Sequence, residues 1–142
     1  MKAQPRLQDW VARGLIAIVL GINLACAIDF IARPQRYMAS YELSGEVGRA
    51  VIMGFGILFL MWQVPYFFAL FSPTRNRVSL LSAVLMQAIG LVGESFLLSR
   101  IPMQNQVLRG SVLRFIYFDA GGLLLLVIAL FIINAGAKHR SQ

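Results

Sequence analysis

The sequence predicts an all-α integral membrane protein, a four-helix bundle with antiparallel up-down topology that forms one transmembrane domain over residues 1–142. Two observations predict this fold class. The chain is 58% hydrophobic and 13% charged, whereas soluble domains are about 45–50% apolar and about 25% charged. The apolar residues also fall into four long stretches. A soluble fold of this size would leave much of that apolar surface in water.

Each apolar stretch is long enough to cross the hydrocarbon core of a bilayer, which takes about 20 residues in a helix. Because backbone N–H and C=O groups find no water there, we expect helices. The predicted spans are 14–31, 50–71, 78–98 and 112–133.

The first stretch also has features of a signal peptide. Lys2, Arg6 and Arg13 precede the apolar run, and the Ala-Cys-Ala sequence at 25–27 suits signal peptidase. Since the run is long for such a peptide, we expect it to remain as a span.

The connections between the spans differ in length. At 71–78, Pro73 ends the second span and Thr74 or Asn76 is expected to cap the third, so that the two spans form an antiparallel hairpin. The connection at 32–49 is longer. It is predicted to hold a short interfacial helix around 34–43, whose Tyr37, Met38 and Tyr41 would touch lipid.

The distribution of lysine and arginine predicts the orientation. Seven of these residues lie on the side of the termini and six on the other side. The positive-inside rule therefore favours a multi-pass protein of the cell membrane with both termini cytoplasmic. The seven are Lys2, Arg6, Arg13, Arg75, Arg77, Lys138 and Arg140.

Ionisable groups inside a membrane are costly and mark functional sites by default. Glu94 lies four residues from the outer end of the third span, and Asp119 lies about seven residues into the fourth. Asp29 ends the first span on the same side, and Gln87 shares the helix face of Glu94. These four residues form a candidate polar pocket toward the outer leaflet.

Small residues at helical spacing predict which faces of the helices meet, because they let membrane helices approach closely. The predicted inward faces are Gly14, Ala17, Gly21 and Ala25 in the first span; Arg49, Gly56 and Gln63 in the second; Ala83, Gln87, Gly90 and Glu94 in the third; and Asp119, Gly122 and Ala129 in the fourth. Trp62 is too deep for an interfacial belt and is expected to pack against other helices.

The acidic residues allow three interpretations. Glu94 and Asp119 pair with Arg49, Arg100 or Arg114 as structural ion pairs; they bind a substrate, a proton or a quinone headgroup; or they contact another subunit.

Several chemistries are excluded by what the chain lacks. The single cysteine, Cys26, cannot run a thiol–disulfide relay by itself. The single histidine, His139, excludes haem held by paired histidines and histidine-based zinc sites, and no cofactor is identifiable. No phosphate-binding or nucleophile motif is present, so an enzyme is not expected. Basic residues stand at the ends of the apolar runs, which favours lipid over nucleic acid as a partner.

Short motifs give the chain a family resemblance. They are Arg13-x-Leu15, Pro34 followed by Tyr37, the glycine-rich segment at 54–60 and Pro73-x-Arg75. With these motifs the sequence resembles the DoxX-like family of small four-helix bacterial membrane proteins over most of its length. The resemblance implies a membrane subunit linked to sulfur or quinone redox chemistry, and it transfers no catalytic residue.

Two functions follow as expectations. The first is a non-catalytic or accessory subunit of a membrane redox or energy-transducing complex. The alternative is a small oligomeric transporter or ligand-binding protein that uses the acidic pocket. The expected partners are the lipid bilayer and either other membrane subunits or further copies of this chain.

Overall fold

The computed structural model describes residues 7–138, and these residues form an all-helical bundle with no β-strand among them. The predicted fold class is confirmed. Lys2, Arg6, His139 and Arg140, which entered the sequence arguments above, lie outside the described residues. The helices are α1 (Leu7–Ala32), α2 (Gln35–Met38), a 3₁₀ helix (Ala39–Tyr41), α3 (Gly45–Phe71), α4 (Arg77–Arg100) and α5 (Gln106–Lys138).

Four of these helices are long and apolar enough to cross a membrane, and each contains one of the predicted spans. Their outer surfaces carry many exposed large apolar side chains, such as Leu85, Ile89 and Phe131. Side chains of this kind are stable in lipid and would be a liability in water. The chain is therefore a multi-pass membrane protein.

The four long helices form a ring in chain order. α1 packs against α3 and α5, and α4 packs against α5 and α3. Since each long helix is joined to the next by a short connection, neighbours are antiparallel. The smallest interface between ring neighbours is the one between α3 and α4.

The interior is layered along the bundle axis. Toward the 71–77 turn it is aliphatic, with Ile16, Leu80 and Leu126 fully buried. Toward α2 it is aromatic, where the rings of Phe30, Tyr37, Tyr41, Phe59 and Phe115 lie in contact. A layer of buried polar side chains separates the two.

Gly56 allows α1 and α3 to approach closely in the aromatic half. A Cβ atom added to Gly56 would lie 2.7 Å from Cγ1 of Ile31 and 2.8 Å from the carbonyl oxygen of Ala27. Because the second of these contacts is with backbone, a larger residue there would force the helices apart.

The predicted inward face of α1 is wrong. Gly14, Ala17, Gly21 and Ala25 are exposed. The interior instead takes mostly larger side chains of α1, together with two alanines. The buried face of α1 is Ala12, Ile16, Val19, Leu20, Asn23, Ala27 and Phe30. In the second span Gly56 and Gln63 are buried as predicted, whereas Arg49 is exposed.

The short helix predicted around 34–43 is confirmed by α2 and the 3₁₀ helix, but its tyrosines do not turn outward to lipid. The ring centroid of Tyr37 lies 4.4 Å from that of Phe30, and Tyr41 lies between Phe55 and Phe115. The two side chains cover the aromatic end of the bundle, where their rings contact the neighbouring rings at tilted angles.

The turn between α3 and α4 is held by side chains that satisfy the last carbonyl groups of α3. Nδ2 of Asn76 donates to the carbonyl oxygen of Phe68 at 2.6 Å, and Nη2 of Arg13 donates to that of Phe71 at 2.6 Å. Asn76 occupies the residue before α4 but makes no side-chain cap bond there. The predicted cap therefore serves the end of α3, whose orphan carbonyls need donors.

Candidate functional site

A polar cavity of about 290 Å³ lies within the membrane-spanning part of the bundle, between α3 and α4. All four long helices contribute to its walls. The polar lining residues are Asn23, Gln63, Tyr66, Gln87, Glu94 and Asp119. The apolar walls are formed by Phe59, Trp62, Met86 and Ile89, with Gly90 and Gly93 between them.

A chain of hydrogen bonds links three helices beside this cavity. The hydroxyl of Tyr66 donates to Oε1 of Gln87 at 2.6 Å, and Nε2 of Gln87 donates to Oδ1 of Asp119 at 2.7 Å. The side-chain amide of Asn23 from α1 lies beside the Tyr66 hydroxyl. Both hydrogen bonds point toward Asp119, so each one polarises the next in the same direction.

Two carboxyl groups meet at the end of this chain. The side chains of Glu94 and Asp119 lie side by side, and Asp119 is buried. A Cβ atom added to Gly90 would overlap Oδ2 of Asp119, so the glycine leaves the room that the carboxyl group occupies. Two like charges this close in apolar surroundings repel each other strongly. A proton or a cation between them removes that repulsion.

Three acceptor oxygens around the cavity have no hydrogen-bond partner among the described residues: Oδ1 of Asn23, Oε1 of Gln63 and Oε2 of Glu94. Asn23 is only 3% exposed and Gln63 only 4%. Nε2 of Gln63 donates to the carbonyl oxygen of Phe59 at 2.8 Å. This hydrogen bond fixes which end of the Gln63 amide is the nitrogen and which is the unpaired oxygen. A buried polar group without a partner costs about 1–3 kcal/mol. The cavity walls therefore lack hydrogen-bond donors for these oxygens.

The cavity opens sideways, on the surface between α3 and α4. Trp62 and Ile89 line it and are 42% and 66% exposed on the outside of the bundle. The expectation that Trp62 packs against other helices is wrong: it stands at the rim, because α3 and α4 do not close over it. In a bilayer this surface faces hydrocarbon.

Three of the four predicted pocket residues, Gln87, Glu94 and Asp119, lie together on this cavity. Asp29 lies apart from them. It accepts a hydrogen bond from the Tyr37 hydroxyl and lies 3.4 Å from Nη1 of Arg33 and 3.8 Å from Nη1 of Arg36. The hydrogen bond to Asp29, aided by burial, raises the pKa of Tyr37 to about 12. Asp29 thus anchors the connection after α1.

The arginines expected as ion-pair partners do not pair with the two acids. Within residues 7–138, none of Arg49, Arg100 and Arg114 lies within ion-pair distance of Glu94 or Asp119. The guanidinium of Arg100 lies 4.8 Å from the ring centroid of Phe96, and that of Arg114 donates to Oγ of Ser111 at 3.1 Å.

Reasoning from charge alone missed Asn23 and Tyr66. The signal for Asn23 was an amide in the middle of the first apolar stretch, where a polar group needs a partner. No comparable signal marked Tyr66, because tyrosine is common in membrane helices. In the part of the chain that the structure describes, no group of three His, Cys, Asp or Glu side chains is arranged to hold a metal ion.

The fold and this cavity define a class: small multi-pass α-helical membrane proteins with a polar cavity inside the bilayer. No protein-family model matches the chain, and neither a curated protein nor a solved structure matches it.

Proposed function

We propose that this protein binds a small hydrogen-bond-donating molecule inside the bilayer, in the cavity between α3 and α4. The observation that carries the proposal is the set of three unpaired acceptor oxygens, on Asn23, Gln63 and Glu94, around one cavity. Native proteins satisfy nearly all their buried polar groups. All three oxygens belong to residues that line this cavity, so a ligand with donors is the partner that the site lacks.

The hydrogen-bond chain supports a binding role because it holds the cavity walls in place. Gln87 uses both ends of its amide, one toward Tyr66 on α3 and the other toward Asp119 on α5. A site whose side chains are held by such bonds loses little conformational entropy when a ligand arrives.

An accessory subunit of a redox or energy-transducing complex, as the DoxX-like resemblance implies, stays a prediction. Phe67 and Phe68 on α3 are exposed and offer area to a protein partner. They suit lipid equally well, so this surface does not favour a partner. The cavity favours ligand binding, and a homo-oligomer with cytoplasmic termini is the setting we propose for it.

A cavity-filling substitution tests the proposal. Gly93 is exposed and lines the cavity, and a Cβ atom added to it meets nothing within 4 Å, so Gly93→Leu places a bulky side chain at the cavity rim without a backbone clash. Purified protein in lipid nanodiscs is heated with octylamine, octanol or a short-chain hydroquinone. At least one of these should raise the midpoint of thermal unfolding, because a ligand at 100 times its Kd stabilises by about 2.7 kcal/mol. Gly93→Leu should lose that shift.

The matched control is Gly21→Leu, at an exposed glycine of α1 whose Cβ position is also open. It should keep the shift of the unmodified protein. If none of the three compounds raises the midpoint, or if Gly93→Leu responds like Gly21→Leu, the cavity is not a ligand site.

A further inference from the structure

We propose that the ligand is a lipophilic primary amine, bound as its ammonium ion, which reaches the cavity sideways from the bilayer through the opening between α3 and α4. This inference rests on the proposed ligand site and names its ligand class. Charge, hydrogen-bond donors and the position of the opening each support it.

The first argument is charge. Glu94 and Asp119 lie side by side, and within the described residues no arginine, lysine or histidine forms an ion pair with either. A cation placed between the two carboxyl groups turns their repulsion into two attractions. A neutral ligand offers the two carboxyl groups no such attraction.

The second argument is the number of donors. An ammonium group has three N–H donors and no acceptor. Three residues that line the cavity, Asn23, Gln63 and Glu94, carry unpaired acceptor oxygens. A quaternary ammonium carries the same charge with no N–H donor, and an alcohol brings one donor without charge. Of these three head groups, only the primary ammonium brings both a charge and three donors.

The third argument is the wall that faces lipid. Phe59, Trp62, Met86 and Ile89 offer apolar surface for an alkyl or aryl chain, and the aromatic faces attract a cation. A hydrated metal ion would have to lose its water in hydrocarbon before it reached this opening. An amphiphilic amine already resides in the bilayer, with its chain among the lipid tails.

Fluorescence of Trp62 tests the proposal directly. The chain has two tryptophans, so Trp10→Phe leaves Trp62 at the cavity rim as the sole reporter. Nanodiscs of phosphatidylcholine are titrated with decylammonium, decyltrimethylammonium and decanol. We expect saturable quenching by decylammonium, with an affinity at least about tenfold higher than for the other two compounds.

Variants at the acceptors locate the binding. In the Trp10→Phe background, Glu94→Gln should weaken decylammonium binding about tenfold or more, and Gln63→Leu should weaken it several-fold. Glu46→Gln, which neutralises an exposed acid in the first turn of α3, should leave the affinity unchanged. Gln63→Leu keeps the side-chain volume, so its circular dichroism and elution volume should match those of the parent.

The outcomes separate the two proposals. If decanol or decyltrimethylammonium binds as tightly as decylammonium, the ammonium assignment is wrong while the cavity remains a ligand site. The ammonium assignment is also wrong, and the cavity again remains a ligand site, if Glu94→Gln and Glu46→Gln change the affinity for decylammonium equally. If no compound quenches Trp62 saturably and none protects the protein against heat, water alone fills the cavity and both proposals are wrong.

Discussion

Gly90 is the residue whose missing side chain makes the acid pair possible, since Oδ2 of Asp119 occupies the place where a Cβ atom would stand. Gly93, almost one helical turn further along α4, has open space at the same position. The same substitution can therefore be compared at two glycines of one helix, one whose Cβ position is occupied by Asp119 and one whose Cβ position is open.

We predict that Gly90→Ala lowers the free energy of unfolding by about 1–3 kcal/mol, because forcing atoms into an occupied site strains the packing. Gly93→Ala should be neutral or stabilising by up to about 1 kcal/mol, since alanine favours a helix over glycine. Unfolding of the purified variants in mixed micelles measures both values. Equal effects would show that Asp119 does not depend on the space at Gly90.

Asn76 shows how one side chain serves the helix that ends before it. Its Nδ2 atom donates to the carbonyl oxygen of Phe68, and its own backbone carbonyl accepts the N–H of Leu80. The side chain thus closes α3 while the backbone begins α4.

At the scale of the helices, we predict that Asn76→Ala lowers the free energy of unfolding by about 1 kcal/mol through the loss of its hydrogen bond to the end of α3. Gln104→Ala, in the connection between α4 and α5, is the control because Gln104 is exposed. Thermal unfolding of both variants in nanodiscs provides the measurement. A loss in Gln104→Ala as large as in Asn76→Ala would contradict the capping role.

The positions of the helices were predictable from the sequence, whereas their inward faces were only partly so. Hydropathy is a property of one segment, so each predicted span lies inside a longer helix. Which face turns inward depends on the neighbours, and small residues on α1 misled the prediction because they lie on the outside. On α4 the spacing of small and polar residues predicted the inward face better, because Ala83 and Gln87 are both buried.

The candidate site was also only partly predictable from the sequence. Glu94 and Asp119 could be grouped because their depths in antiparallel helices are similar, and Gln87 because it shares the helix face of Glu94. Asp29 could not be separated from them, since its partners Tyr37 and Arg36 come from the fold of a connection whose path depends on tertiary packing. The unpaired oxygen of Gln63 is visible only when the amide orientation is known.

For the molecule as a whole, the two ends of the bundle lie on opposite sides of the membrane. The 71–77 turn and the 101–105 connection lie at opposite ends of the bundle, because one α-helix, α4, separates them. The orientation in the membrane can therefore be determined from one reporter residue at each end, Arg75 and Gln104, which are both exposed.

We predict that cytoplasmic termini place Arg75 inside the cell and Gln104 outside. In a Cys26→Ala background, Gln104→Cys should react with a membrane-impermeant maleimide in intact cells. Arg75→Cys should react only after the membrane is permeabilised. The reverse pattern would place both termini outside and overturn the positive-inside reasoning.

The sideways opening beside Trp62 and Ile89 makes the bilayer the solvent from which the cavity fills. Occupancy then follows the mole fraction of ligand among the lipids and not its concentration in water. Each methylene added to an alkyl ligand favours partition by about 0.8 kcal/mol, which is about fourfold. Apparent affinity measured against the aqueous phase would climb with chain length, while the same data expressed per lipid would stay flat.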